Sequence, residues 1–276
     1  MFRGLDLATA GMMISQRWHD TISNNLANLN TIGFKAEEAA MRTFPEYLIW
    51  QLGASGGRSP QLGSLPHGVL VDERLPLFRQ GTPVETGQPM HVAILDDPRP
   101  DPETGQTPVT FFTIQLPDGT YALTRAGQWT RDQLGQWVTA QGYRVMGYRQ
   151  PPAGQAPVLE PIDVDGPFRI TPEGRILFDN DPLPEQPLYL ATVTVDNPYL
   201  LIREGDGVYR MQDGELPAPA PTAGVLRQGF LERSNVDPAR SMVNLMLAGR
   251  AYEANQRVIQ SYDRTLDKTV NEIGRV

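Results

Sequence analysis

Apolar positions repeat every seven residues at the two ends of this chain and break into short β-prone runs between them. In residues 1–35, Leu5, Met12, His19 and Leu26 fall seven apart, with Ala8, Ser15, Ile22 and Leu29 in the complementary positions. That spacing predicts a helix with an a/d seam, interrupted at His19 and Ser15. Gly33 is placed to stop it, since glycine takes a left-handed conformation cheaply. Asn24, Asn25, Asn28 and Asn30 crowd the same end and favour caps and turns over helix interior.

The other end opens with a helix signal. Asp237 suits an N-cap and Pro238 a first turn. From there Leu245, Tyr252, Ile259, Leu266 and Ile273 repeat by seven. The predicted partner edge is Met242, Gly249, Gln256, Asp263 and Val270, mostly small or polar, with Ala251, Val258 and Tyr262 broadening the seam. About 38 residues of helix, 237–275, would extend roughly 57 Å. Such a helix is too long to hide against a β domain of this size. It needs a partner helix, from its own N-terminus or from another copy.

Between the helices, turn signals such as Pro117-Asp118-Gly119 and Pro172-Glu173-Gly174 alternate with short β-prone runs. The predicted strands are 91–95, 109–116, 121–124, 136–140, 144–148, 168–170, 175–178, 189–195 and 208–211. There is no βαβ rhythm, so the fold class is α+β: N- and C-terminal helices pairing as a coiled coil, with a central, mainly antiparallel β domain. The expected division is a terminal helical assembly region (1–35 and 229–276), a flexible connecting segment (36–79), the β domain (80–215) and a Pro-rich linker (216–228). Gly53–Gly68 and Leu216–Thr222 carry the linker composition.

Composition narrows the function. The net charge of −8 concentrates in the middle, where residues 36–228 hold 14 Lys/Arg against 24 Asp/Glu. Phosphate contacts need clustered cations, so nucleic acid is not an expected partner. Cysteine is absent, which excludes disulfides. No apolar run reaches bilayer length. Met1–Asp6 lacks a basic n-region leading into an apolar stretch, so no cleaved signal peptide is expected.

Candidate chemistry is thin. His19, His67 and His91 lie far apart, with no metal-ligand spacing. Asp163-Val164-Asp165-Gly166 resembles the start of a calcium loop, but Gly174 stands where the bidentate glutamate belongs. Gly205-Asp206-Gly207 lacks the third glycine of a dinucleotide loop. Asp96, Asp97, Glu160 and Asp163 could pair in space as an acid and base. No catalytic, cofactor-binding or metal-binding residue is expected, and no enzyme.

The terminal segments resemble the flagellar rod, hook and basal-body protein family. Ser23 through Lys35 is similar to its N-terminal signature, with Ile32 where proline is more usual. Gln228 through Asp237, then Met242-Val243-Asn244-Leu245 and Arg250-Ala251-Tyr252-Glu253-Ala254-Asn255, resemble its C-terminal signature. Glu85 through Ile94 and Thr124-Arg125-Ala126-Gly127-Gln128-Trp129 are similar to parts of its β domain, although Leu95-Asp96-Asp97-Pro98 replaces a glycine–aromatic pair. The length resembles the distal-rod-like group, and the composition the paired rod-type proteins of Gram-positive bacteria.

The resemblance implies an axial component of the flagellar basal body, delivered by the flagellar export apparatus and assembling head to tail with its own copies and other rod or hook proteins. The expected assembly interface comprises the two seams, Leu5, Met12, Ile22, Leu26, Leu245, Tyr252, Ile259 and Leu266, with Asn24, Asn25, Asn28, Gly33 and Asn255 shaping the junctions. Two alternatives stay open. One is a hook-type rather than rod-type protein. The other is a cell-wall or carbohydrate-binding β module, which would present exposed aromatics among Trp129, Trp137, Tyr143 and Tyr148.

Overall fold

The structure is a computed structural model describing residues 3–43, 47–50, 61–65, 69–96, 105, 107–149, 157–179, 181, 185–212 and 225–273. It divides into two units: residues 1–27, 37–76 and 237–276 in one, 28–36 and 77–236 in the other.

The first unit holds helix α1 (Arg3–Ala27) and helix α2 (Pro238–Lys268). α1 buries Ala8, Ser15 and Ile22, one edge of the predicted seam. Ser15 is tolerated there because its hydroxyl donates to the Gly11 carbonyl at 2.8 Å, one turn back. The helix stops at Ala27, well before Gly33. Thr31 turns back instead, donating from its backbone to Asn28 O at 3.2 Å and from its hydroxyl to Asn28 Oδ1 at 3.1 Å.

α2 begins at the predicted signal. Asp237 Oδ1 accepts from Ala239 N at 2.9 Å and Arg240 N at 3.1 Å, and Pro238 fills the first turn. The helix spans 31 residues rather than 38, followed by a π-helical turn, Thr269–Ile273.

The same unit contains antiparallel strands where a flexible connector was expected. Glu37–Thr43 pairs with Val69–Pro76, and Tyr47–Trp50 with Gln61–Leu65. The Asn25 amide clamps the first of these: its Nδ2 donates to Glu37 O and its Oδ1 accepts from Glu37 N, both at 2.8 Å. The Gly-rich stretch 53–60 and the Pro-rich run 216–222 lie outside the described residues.

The second unit is built on one antiparallel sheet. In order across it run 201–205, 208–211, 121–124, 109–115, 144–149, 137–139 and 129–131. Strand 192–195 also pairs with 109–112. The centre is Val109–Gln115, buried on both faces because it is apolar at consecutive positions. Phe111 joins Val109, Leu123, Val193 and Tyr209 in one cluster, while Phe112 joins Trp129, Trp137, Val145 and Ile162 in another. Phe112 meets Trp129 edge-on at 4.9 Å between centroids, and Trp129 stacks on Trp137 at 5.8 Å. Short ladders join Phe230–Glu232 to Pro83–Glu85 and Val225–Gln228 to Val92–Leu95.

Candidate functional site: helix faces and a buried charge junction

The helices meet on small residues. A β-carbon on Gly4 would collide with the Tyr262 hydroxyl, and one on Gly11 would stand 2.9 Å from the Asn255 amide. Gly4 and Gly11 are seven apart and so are Asn255 and Tyr262, with the numbers running oppositely, so the two helices are antiparallel. Ala248, one further heptad along α2, is fully buried.

This seam differs from the predicted one along a single edge of each helix. On α2, Leu245, Ile259 and Leu266 are half-buried and Tyr252 is 36% exposed. The second edge is Ala248–Asn255–Tyr262, whereas Met242 of the predicted edge is 53% exposed. On α1, Leu5, Met12 and Leu26 are half-buried and His19, expected within the seam, points to solvent. The physical reason is steric. Each glycine leaves a notch on α1 that an α2 side chain fills, Tyr262 at Gly4 and Asn255 at Gly11, so the seam follows these positions rather than the greasiest stripe.

This seam leaves apolar side chains uncovered. Met242, Val243, Met246 and Leu247 stand 48–59% exposed on the first turns of α2, and Val258 42% further along; Leu7 and Met13 are exposed likewise on α1. Ala248 is the one fully buried residue of α2.

A second construction occupies the β unit, and sequence reasoning did not find it. Arg125 is fully buried and its guanidinium is the hub. It reaches Glu232 Oε2 from Nε at 2.9 Å and from Nη2 at 2.8 Å, and Asp96 Oδ2 from Nη1 at 2.8 Å, and it also donates to Thr110 O. Lys35, 1% exposed, donates to Glu232 Oε1 at 2.7 Å and to Arg79 O at 2.9 Å. Gly81 N donates to the same Glu232 oxygen at 2.7 Å. Two buried cations therefore face two carboxylates.

Electrostatics follows from this burial. Burial alone would push the Glu232 carboxyl up, but Arg125 and Lys35 outweigh it and hold the group below its usual range. Burial lowers Lys35, and the Arg125 charge beside it lowers it further against the pull of Glu232. Burial also opposes the Arg125 charge, yet Glu232 and Asp96 raise it above its ordinary value.

Backbone and amide contacts complete the junction. Gly33 N donates to Glu232 O at 2.8 Å. Asn235 Oδ1 accepts from Ala36 N at 2.7 Å, while its Nδ2 donates to Leu77 O at 2.8 Å and Arg79 O at 3.0 Å. Gly33 has φ +70°, and a β-carbon there would stand 2.6 Å from the Arg125 carbonyl carbon. Phe34, 2% exposed, lies beneath the Arg203 guanidinium at 4.8 Å.

The remaining predicted residues are dispersed. Asn24 and Asn28 are half-buried. Asn255, expected to shape a junction, lies in mid-helix, where it donates to Ala251 O at 3.0 Å. Trp129, Trp137 and Tyr148 are core residues and Tyr143 is half-buried, so these four provide no exposed aromatic platform for a glycan. Of the carboxylates, Asp96 is engaged by Arg125, and Glu160 by Arg149 at 3.0 Å; Asp97 lies outside the described residues. Among the described residues no helix is long and apolar enough to cross a membrane.

In chain order the protein has a helix near each terminus, an antiparallel β unit between them in sequence, and connecting segments seated on buried charges. Three family models match along the chain. The flagella basal body rod protein model covers residues 5–35, the flagellar hook protein FlgE/F/G D1 domain 109–178, and the flagellar basal body rod FlgEFG protein C-terminal model 227–272. The chain is 32% identical to the flagellar hook-basal body complex protein FlhO of Bacillus subtilis, with all of both chains aligned. It is 33% identical to the flagellar basal-body rod protein FlgG of Borreliella burgdorferi, across 96% of this chain and 97% of the relative. Identity to FlgG of Caulobacter vibrioides is 30%, across 97% and 98%. The chain belongs to the flagellar basal-body rod protein family.

Proposed function

We propose that this chain is a structural, axial component of a flagellar basal-body rod, and that its activity is assembly. α1 and α2 pair as a coiled coil, and copies join head to tail, with other rod and hook proteins at the ends of the stack. A head-to-tail contact that does not close on itself generates a helical tube. Delivery by the flagellar export apparatus, without a cleaved signal, belongs to the same reading.

The observation that carries it is the exposure of α2. A helix of 31 residues buries one of them fully and presents Met242, Val243, Met246 and Leu247 to solvent. Helices gain most of their stability from packing an apolar face. Contiguous exposed apolar side chains on a soluble protein mark an interaction surface. Burying such side chains against a neighbour contributes about 1.5–3 kcal/mol each. The relatives named as rod and hook-basal body complex proteins support the rod-type reading over the hook-type one.

Introducing charge at Met242→Asp and Met246→Asp tests the reading, because both residues are more than half exposed in the single chain. The variant is expected to fold with an unchanged circular dichroism spectrum and to be absent from purified basal bodies. Wild-type amounts of it in those basal bodies would refute the reading.

A further inference from the structure

We infer that Lys35, Arg125 and Glu232 form a lock with two keys, by which the segment leaving α1 and the segment leading into α2 dock on the β unit together or not at all. Lys35 belongs to residues 28–36, which follow α1, and Glu232 to residues 229–236, which precede α2. The inference concerns folding of the single chain and is independent of the assembly reading.

Charge balance carries the argument. With both segments in place, Lys35 and Arg125 are matched by Asp96 and Glu232 in a site where the exposures of Lys35, Arg125 and Glu232 are 1%, 0% and 2%. With residues 28–36 withdrawn, Arg125 alone faces two buried carboxylates. With residues 229–236 withdrawn, Lys35 and Arg125 share Asp96. Each half-docked state buries an uncompensated charge, which is far more costly than a balanced cluster.

The backbone repeats the logic. Gly33 N has its acceptor in Glu232 O, and Ala36 N in Asn235 Oδ1, so each segment supplies partners that the other requires. Gly33 lies against the Arg125 backbone so closely that no side chain fits between them. The lock thus fixes where the chain departs for α1 relative to where it departs for α2. A buried ion cluster contributes little net stability over a well-packed apolar one, while breaking it by removing one partner is costly.

Native-state hydrogen exchange on the full chain, followed with rising denaturant, tests it. In the wild type, the amides of 33–36 and of 230–234 are expected to merge into one opening transition. Lys35→Met and Glu232→Gln should each lower protection in both segments, by about 100-fold. The double variant leaves Arg125 and Asp96 as a balanced pair and should regain protection in both segments over either single variant. A single variant that fails to fold while the double folds supports the lock equally. Loss confined to the substituted segment, or a double variant less protected than both singles, would overturn it. So would separate openings of the two segments in the wild type, however the variants fold.

Discussion

Gly33 shows how one residue can answer to two constraints at once. Its backbone is left-handed at φ +70°, and the Arg125 backbone occupies the space of a side chain. Gly33→Ala is expected to lower stability by about 1–3 kcal/mol, measured as a shift in the urea midpoint. Glu232 makes a pH prediction. Its folded carboxyl is held below the ordinary value of 4.5, so the unfolded chain binds that proton more tightly. The stability it contributes is present above that value and is lost as pH falls through the lower, folded one. Lys35 acts with the same sign in another window: its lowered pKa makes stability rise as pH climbs toward 10.5. Urea midpoints from pH 7 downward should fall steeply for the wild type, and Glu232→Gln should show a lower midpoint at pH 7 with a shallower decline. Equal slopes would remove Glu232 from the account.

At the scale of elements, the antiparallel helix pair seats the Tyr262 and Asn255 side chains of α2 against the glycines of α1. Gly11→Leu is expected to force α2 away from α1 and to destabilise the pair by about 1–3 kcal/mol, read as early loss of exchange protection in both helices while the Val109–Gln115 strand keeps its own. Much of this level was legible in the sequence. Strands 121–124, 168–170 and 208–211 begin and end where alternation and turn residues place them. Asp237-Pro238 marks the start of α2. One seam edge of each helix follows the heptad count. The other edge escaped because Gly4, Gly11 and Ala248 carry little hydropathy signal, although the two glycines leave the room that the Tyr262 and Asn255 side chains occupy. The Glu37–Thr43 and Val69–Pro76 ladder escaped because Glu37, Glu38, Arg42, Asp72, Glu73 and Arg74 give it no apolar alternation. The charge junction escaped for a different reason. Residues 35, 96, 125 and 232 are remote in the chain and become partners only once the sheet is folded. The signal available was a charged residue one or two positions after a phenylalanine inside each terminal signature: Phe34-Lys35, and Phe230-Leu231-Glu232.

At the scale of the whole molecule, the proposed assembly would cover the apolar side chains that α1 and α2 expose in the single chain. Ile259→Leu keeps volume and polarity and should cost less than about 1.5 kcal/mol with incorporation unimpaired. Leu26→Asp or Ile259→Asp places a charge into a half-buried seam and is expected to prevent incorporation, scored by the amount of protein in purified basal bodies. The most direct measurement is photo-crosslinking in place. A photoreactive amino acid substituted at Met246, 59% exposed in the single chain, is activated in isolated basal bodies. Crosslinks are expected from position 246 to a second copy of this chain or to an adjoining rod or hook protein. Position 246 found linked within its own chain alone, in basal bodies that contain the protein, would contradict the proposed assembly.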